Sequence, residues 1–236
     1  MVTLLLAGAA GLVMGVAGSR AMGAEPQNRA AIEAIVHDYI LAHPEIIPEA
    51  IGKLQNKRAA DAIALDRSAI ETPFAGAWAG NPHPRVTLVM FSDYSCGFCK
   101  ASAGDIDRLL AETPDLKVVW REIPVLGPQS VVAARAALVV AKQGHYLAFH
   151  RGMFASSGRP DDATIARVAK ASGVDPAHLA EQGKGADVDA ELTANMKLAA
   201  RLGVDGTPTF VIGDQIMSGA VGYDALKKAV DTARKS

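Results

Sequence analysis

Apolar and polar positions divide the chain into stretches of distinct period. From residue 30 to about residue 70, Ile32, Ile35, Val36, Tyr39 and Ile40 recur at helical spacing, and Ile47, Ile51 and Leu54 continue the stripe after a break. His43-Pro44 makes that break, because the residue before a proline avoids the helical region. Pro48 fits the first turn of the helix that follows. Residues 55–70 are Ala-rich and charged, with a thinner stripe of Leu54, Ile63 and Ile70. Residues 72–84 carry Pro73, Gly76, Gly80, Asn81, Pro82 and Pro84 and read as a turn-rich joint.

Val86-Thr-Leu-Val-Met-Phe91 is short, β-branched and almost continuously apolar, the mark of a strand buried on both faces. It runs into Ser92-Asp-Tyr-Ser-Cys-Gly-Phe-Cys-Lys100, with a helix predicted from about Cys96 to Ala111 and a second strand over residues 116–122. Strand, helix and strand make a βαβ unit. Residues 128–202 are helical throughout, divided by joints at Ser157-Gly-Arg-Pro160 and Gly173-Val-Asp-Pro176. A short strand over 209–212, a turn at Asp214, a hairpin partner at Ile216-Met217 and a closing helix over 223–233 complete the order. The predicted fold class is α/β: a thioredoxin fold with a helical insertion at about 128–202, preceded by an N-terminal helical arm.

The N-terminus changes the picture of where the chain works. Residues 2–18 carry no charge and are rich in Leu, Val, Ala and Gly, with small residues following up to Ala24. That pattern reads as a signal peptide over residues 1–24, although no Lys or Arg precedes the apolar run. Export implies an oxidising compartment, where two cysteines can pair. The predicted organisation is therefore a signal at 1–24, an arm at 25–71 and the main domain at 72–236. The arm cannot bury its stripe on itself. It either packs on its own domain or pairs with copies in other protomers, as short heptad-like helices do, and self-association through residues 25–70 is the favoured expectation. The net charge of −1 and the lack of long like-charge runs argue against a nucleic-acid partner.

The chemistry rests on Cys96-Gly97-Phe98-Cys99, the chain's only two cysteines. The thiolate is the nucleophile in thiol exchange, and a helix N-terminus supplies unpaired N–H groups and a positive dipole end that favour the anion. Cys96 is then the attacking thiol, and Cys99, one turn deeper, the resolving one. A purely structural disulfide would close so short a loop that it constrained the unfolded chain little. A zinc site wants two further ligands, and the six histidines show no paired spacing. Covalent haem wants His after the second cysteine, where Lys100 stands. Gly206-Thr-Pro-Thr-Phe210 adds a proline at a strand entrance, where it cannot donate to the ladder. If Thr207–Pro208 is cis, the backbone before it lies open to an extended substrate.

Together these motifs resemble the DsbA-like thioredoxin family of bacterial periplasms, in its ScsC-like (suppressor of copper sensitivity) branch. The resemblance runs through residues 91–100, Arg121-Glu-Ile-Pro-Val-Leu-Gly-Pro-Gln-Ser130, residues 206–210, Gly219-Ala-Val-Gly-Tyr223 and Ile35-Val-His-Asp-Tyr-Ile-Leu-Ala-His-Pro-Glu45. It implies a periplasmic disulfide oxidoreductase with no cofactor beyond a redox-active Cys96–Cys99 disulfide, an active-site loop of Gly97 and Phe98, and substrate contact at Thr207 and Pro208. It implies exported proteins with cysteines as substrates, a membrane thiol reductase or oxidase as partner, and a homo-oligomer, trimer or dimer. The arm tilts the expectation toward a disulfide isomerase. A monomeric dithiol oxidase and a copper(I) protein binding through Cys96 and Cys99 stand as alternatives, since two thiolates suit a soft ion. One departure matters. Many thioredoxin-like proteins carry an acid six positions before the first cysteine, and here Met90 stands there, leaving Asp93, Lys100, Glu122 or water to move the proton of Cys99.

Overall fold

The computed structural model describes residues 25–235, so the expected signal segment at 1–24 lies outside the described residues. The chain divides into two compact units, one up to Ile51 and one from Gly52 onward. In the first, α1 (Glu25–Ala42) stops just ahead of His43-Pro44, and α2 (Ile46–Glu71) starts after it. The His43 N–H donates to the Tyr39 carbonyl at 2.9 Å, and the two rings lie 4.6 Å apart. Ile32, Ile35, Val36, Tyr39, Leu41, Ile47 and Ile51 are all exposed.

The second unit is built on a five-stranded sheet in the order β1-β3-β2-β4-β5. Its strands are β1 (Trp78–Gly80), β2 (Val86–Ser92), β3 (Leu116–Glu122), β4 (Thr209–Ile212) and β5 (Gln215–Ser218). β2 and β3 are parallel, and α3 (Gly97–Glu112) makes the crossover between them. The β1–β3, β2–β4 and β4–β5 pairs are antiparallel. The apolar run of β2 is continuous because both of its faces are covered. Leu88 and Met90 face one core with Val118, Trp120, Phe210 and Ile212; Val89 and Phe91 face the other with Val119, Ile123 and Val211.

Between β3 and β4 lies the helical insertion: α4 (Pro128–Lys142), α5 (Tyr146–Ala155), α6 (Asp162–Ala171), a 3-10 turn at Pro176–His178, α7 (Leu179–Gln182) and α8 (Ala186–Arg201). The helix α9 (Tyr223–Ala233) closes the chain. Phe149, Met153, Ile165, Val168 and Leu226 join the first core, and Leu198 and Leu202 join the second.

Two expectations need correction. Residues 72–84 are more than a joint, since β1 pairs there with β3 at the sheet edge. A three-residue strand is too short to show a period, which is why the pattern concealed it. Gly80 ends it at φ +97°, where an added Cβ would stand 2.3 Å from the Leu116 carbonyl oxygen. The second correction concerns the span offered for self-association. Ile63 and Ile70 are fully buried against β2, β3 and α8, so the later half of α2 is spent within its own domain. Arg201 of α8 pairs with Asp66 at 2.6 Å, and Arg67 pairs with Asp214. The exposed apolar positions concentrate instead between Ile32 and Leu54.

Candidate functional site

The site forms where β2 ends. After Ser92 the chain turns over Asp93, and the Cys96 N–H donates to the Asp93 carbonyl at 3.0 Å. Cys96 then caps α3, with extended backbone (φ −86°, ψ 115°) and its sulfur accepting the Cys99 N–H at 3.4 Å. Both cysteines are free thiols. Cys96 is 6% exposed and Cys99 wholly buried, so Cys96 is the outer member of the pair. Burial pushes the Cys99 thiol well above its ordinary range, partly countered by a backbone hydrogen bond at Asp93. Phe98 between them is 68% exposed, and a Cβ at Gly97 would meet nothing.

Opposite the sulfur stands the entrance to β4. The Thr207–Pro208 peptide is cis, and the Cys96 thiol donates to the Thr207 carbonyl at 3.2 Å. The segment is held from both sides, by the Thr209 hydroxyl donating to the Gly206 carbonyl and by the Gly219 N–H donating to the Pro208 carbonyl, each at 2.8 Å. The six residues singled out from sequence (Cys96, Gly97, Phe98, Cys99, Thr207 and Pro208) thus come together, although Thr207 follows Cys96 by 111 positions.

Asp93 acts as a brace. Its Oδ1 accepts the Ser95 N–H at 2.8 Å, and its Oδ2 accepts the N–H groups of Val125 and Leu126 at 2.9 and 3.0 Å. One buried carboxylate therefore fixes the cysteine loop to the loop that opens α4, and the Ser130 hydroxyl donates to the Ser95 hydroxyl alongside it. Lys100 donates its Nζ to the Ser156 carbonyl at 2.6 Å.

Sequence reasoning missed a buried polar cluster behind the loop. Tyr146 donates its hydroxyl to Glu122 Oε1 at 2.7 Å, and His150 Nδ1 lies 3.1 Å from the Tyr94 hydroxyl and 3.2 Å from that of Tyr146. The signal in the sequence is the four-residue spacing of Tyr146 and His150, which puts both on one face of a helix. Burial pushes the Glu122 carboxyl up to about 8, against the lowering effect of the Tyr146 and Tyr94 hydroxyls. Burial, then the Arg151 charge, pushes His150 down to about 3. Both tyrosines are raised by burial and by Glu122. Among the described residues, no three His, Cys, Asp or Glu side chains group to hold a metal ion.

This cluster sets a pH profile for stability. A carboxyl raised on folding costs stability as pH rises from its unfolded 4.5 toward about 8, at ~1.4 kcal/mol per unit. A histidine depressed on folding costs stability as pH falls from 6.5 toward about 3, with the same slope. The two slopes cancel between 4.5 and 6.5, so these groups produce a plateau with a decline on either side. Urea denaturation from pH 4 to 9 checks this. Glu122→Gln is expected to remove the alkaline decline and to leave the acid one.

Comparison with known proteins fits this geometry. Residues 87–231 match the DSBA-like thioredoxin domain, and residues 28–61 match the copper resistance protein ScsC N-terminal domain. A thioredoxin-like oxidoreductase from Silicibacter pomeroyi DSS-3 superposes with a TM-score of 0.69 at 36% identity, over 72% of this chain and 98% of that one. A periplasmic thioredoxin-like protein from Salmonella enterica serovar Typhimurium gives 0.66 at 31%, over 73% and 97%. A linker-deleted mutant of Proteus mirabilis ScsC gives 0.70 at 28%, over 91% and 98%. Curated sequence relatives are longer. The Na(+)/H(+) antiporter NhaA 1 of Salinispora arenicola (strain CNS-205) is 30% identical over 154 residues, which are 63% of this chain and only 23% of the antiporter. Among the described residues, no helix is long and apolar enough to cross a membrane. The match over residues 87–231, taken with the sheet order and the helical insertion, means that this chain belongs to the DSBA-like thioredoxin family, with an ScsC-type segment ahead of the domain.

Proposed function

We propose that this chain is a periplasmic thiol–disulfide oxidoreductase that reshuffles disulfides in exported proteins. The observation that carries the reading is the Cys96 sulfur, capping α3 and lying 3.2 Å from the Thr207 carbonyl. An extended client can pair with the backbone before Pro208 and so bring its own sulfur to Cys96. The Cys96 thiolate attacks a client disulfide; a Cys96–client bond forms, and the other client sulfur leaves as a thiolate. That thiolate can re-pair elsewhere in the client and release Cys96 unchanged, which is isomerisation. Alternatively Cys99 attacks Cys96, the client leaves reduced, and a Cys96–Cys99 disulfide remains, to be reduced by a membrane thiol reductase. An oxidase would run this second sequence backwards and use a membrane oxidase instead.

The exposed apolar positions between Ile32 and Leu54 support isomerisation, because copies joined there, as dimer or trimer, turn several sites toward one misfolded client. Refolding of scrambled ribonuclease by the full chain and by a form lacking residues 25–51 tests this, with solution mass measured on both. The full chain is expected to be an oligomer and the faster isomerase. Equal activity from two monomers would leave only the oxidase reading. A copper(I)-binding role rests on two free soft thiols one helical turn apart. Competition against a copper(I) chelator, repeated with Cys96→Ser, decides it.

A further inference from the structure

The three residues ahead of Cys96 are all held from one side. Asp93 is 1% exposed, and its Oδ2 takes the N–H groups of Val125 and Leu126 in the loop that opens α4. Tyr94 sits among side chains of α5. Its hydroxyl lies 3.1 Å from His150 Nδ1, and its ring centroid is 6.2 Å from that of Phe149 and 5.1 Å from that of Phe154. The Ser95 hydroxyl takes the Ser130 hydroxyl of α4 at 2.9 Å. The Cys96 sulfur, in contrast, meets Thr207 at the entrance to β4, in a segment fastened by Thr209 and Gly219. The helical insertion and the loop leading into it therefore fix the cysteine loop, while the sheet fixes the backbone along which a client would pair.

Asp93 is the member of this set that no near neighbour can replace. Its two oxygens accept three main-chain N–H groups, those of Ser95, Val125 and Leu126. An amide of the same shape has one oxygen and one NH2 group. Whichever way it turns, the NH2 faces an N–H, so it can hold Ser95 or the 125–126 loop and not both. The Asp93 carbonyl also accepts the Cys96 N–H at 3.0 Å, in the turn that starts α3. A slip of Asp93 thus carries the Cys96 sulfur with it, relative to Thr207.

We propose that Asp93 is a positioning residue that keeps the Cys96 sulfur aligned with a client paired along the backbone before Pro208. The inference rests on the thiol-exchange reading above and adds the device that aligns its first step. In that step the Cys96 thiolate bonds to one client sulfur, the client disulfide breaks, and the other client sulfur leaves with the electron pair as a thiolate. A client held by its own backbone cannot follow a displaced sulfur, and a misplacement of about 1 Å can cost on the order of 100-fold in rate. A small disulfide is held by nothing and meets the sulfur wherever it stands. Asp93 therefore matters for polypeptides far more than for small disulfides, whereas a change in thiolate charge or in folding would touch both alike.

Two substrates that release thionitrobenzoate on attack by Cys96 test this with one absorbance signal. One is an extended peptide whose single cysteine is bonded to thionitrobenzoate; the other is the symmetric small disulfide of thionitrobenzoate. Reduced full chain in excess gives single turnovers, and release from the peptide by the native chain is expected to saturate. In Asp93→Asn the maximal rate on the peptide is expected to fall by about 10- to 100-fold. Its half-saturating concentration, and the rate on the small disulfide, are expected to change by less than about twofold, because neither depends on that alignment. Ser130→Ala cuts the tie to Ser95 and leaves Asp93 in place, and is expected to lose about threefold to tenfold on the peptide alone. Equal losses on both substrates in Asp93→Asn would overturn the proposal. So would a loss confined to the half-saturating concentration, or no loss at all. A native chain that releases thionitrobenzoate from neither substrate would instead sink the thiol-exchange reading itself.

Discussion

Replacing Cys99 with alanine is expected to accumulate mixed disulfides between Cys96 and its clients, whereas replacing Cys96 is expected to trap nothing. The asymmetry follows from burial. Cys96 keeps 6% of its surface exposed and Cys99 keeps none, so Cys96 is the residue placed to open a client disulfide. Once the mixed disulfide exists, Cys99 is the thiol placed one helical turn behind it, with its N–H already on the Cys96 sulfur. Removing Cys99 blocks the exit that yields a reduced client, leaving the slower routes through other client thiols. Removing Cys96 leaves a sulfur with no access and reduces turnover to the uncatalysed background. Alkylation with a heavy maleimide, followed by non-reducing electrophoresis of cell extracts, reads both outcomes. Client adducts in the Cys96→Ala strain would reverse the assignment.

The largest expected effect on stability lies away from the cysteines, at Arg121. Its guanidinium is buried and collects the end of α2, donating to the carbonyls of Ala69, Ile70 and Thr72. Its other arm reaches Glu191 at 2.9 Å and Asn195 at 3.2 Å on α8. Burial lowers its affinity for the proton, and Glu191 opposes that. A cation at a helix C-terminus also suits the dipole. Arg121→Ala would strand three carbonyls and a largely covered carboxylate, at a cost of about 3–5 kcal/mol. For a domain of this size that lowers the melting temperature by roughly 6–20 °C. Lysine should recover little, since a single ammonium cannot span both groups. Removing the exposed Arg201–Asp66 pair should cost under about 1 kcal/mol by comparison. Thermal melts of the three variants check the ranking, and near-native melting of Arg121→Ala would refute the clamp.

The strands and helices that carry the cysteines were legible because their signals are local. The apolar run of β2, the Cys-x-x-Cys at its end and the Thr-Pro before β4 each announce themselves within ten residues. What stayed hidden depends on partners far along the chain. Arg121 and Glu122 are neighbours in sequence, yet one serves α2 and α8 and the other serves α5, because alternate residues of a strand face opposite sides. The later half of α2 carried only a faint stripe. Two isoleucines proved sufficient, since each seats in a pocket supplied by the sheet and α8. Asp93 read as a turn residue, which it is, but its second oxygen works 32 residues away on Val125.

That last contact has an evolutionary consequence. Asp93 grips residues 125 and 126 by their main-chain N–H groups alone, and both side chains are left bare to solvent. Almost any side chain can be exchanged there without loosening the grip; proline is the exception, because it has no N–H to offer. The outer face of the loop that opens α4 is therefore free to diversify among descendants that meet different clients, while the hydrogen-bonded frame that ties it to the cysteine loop is inherited unaltered.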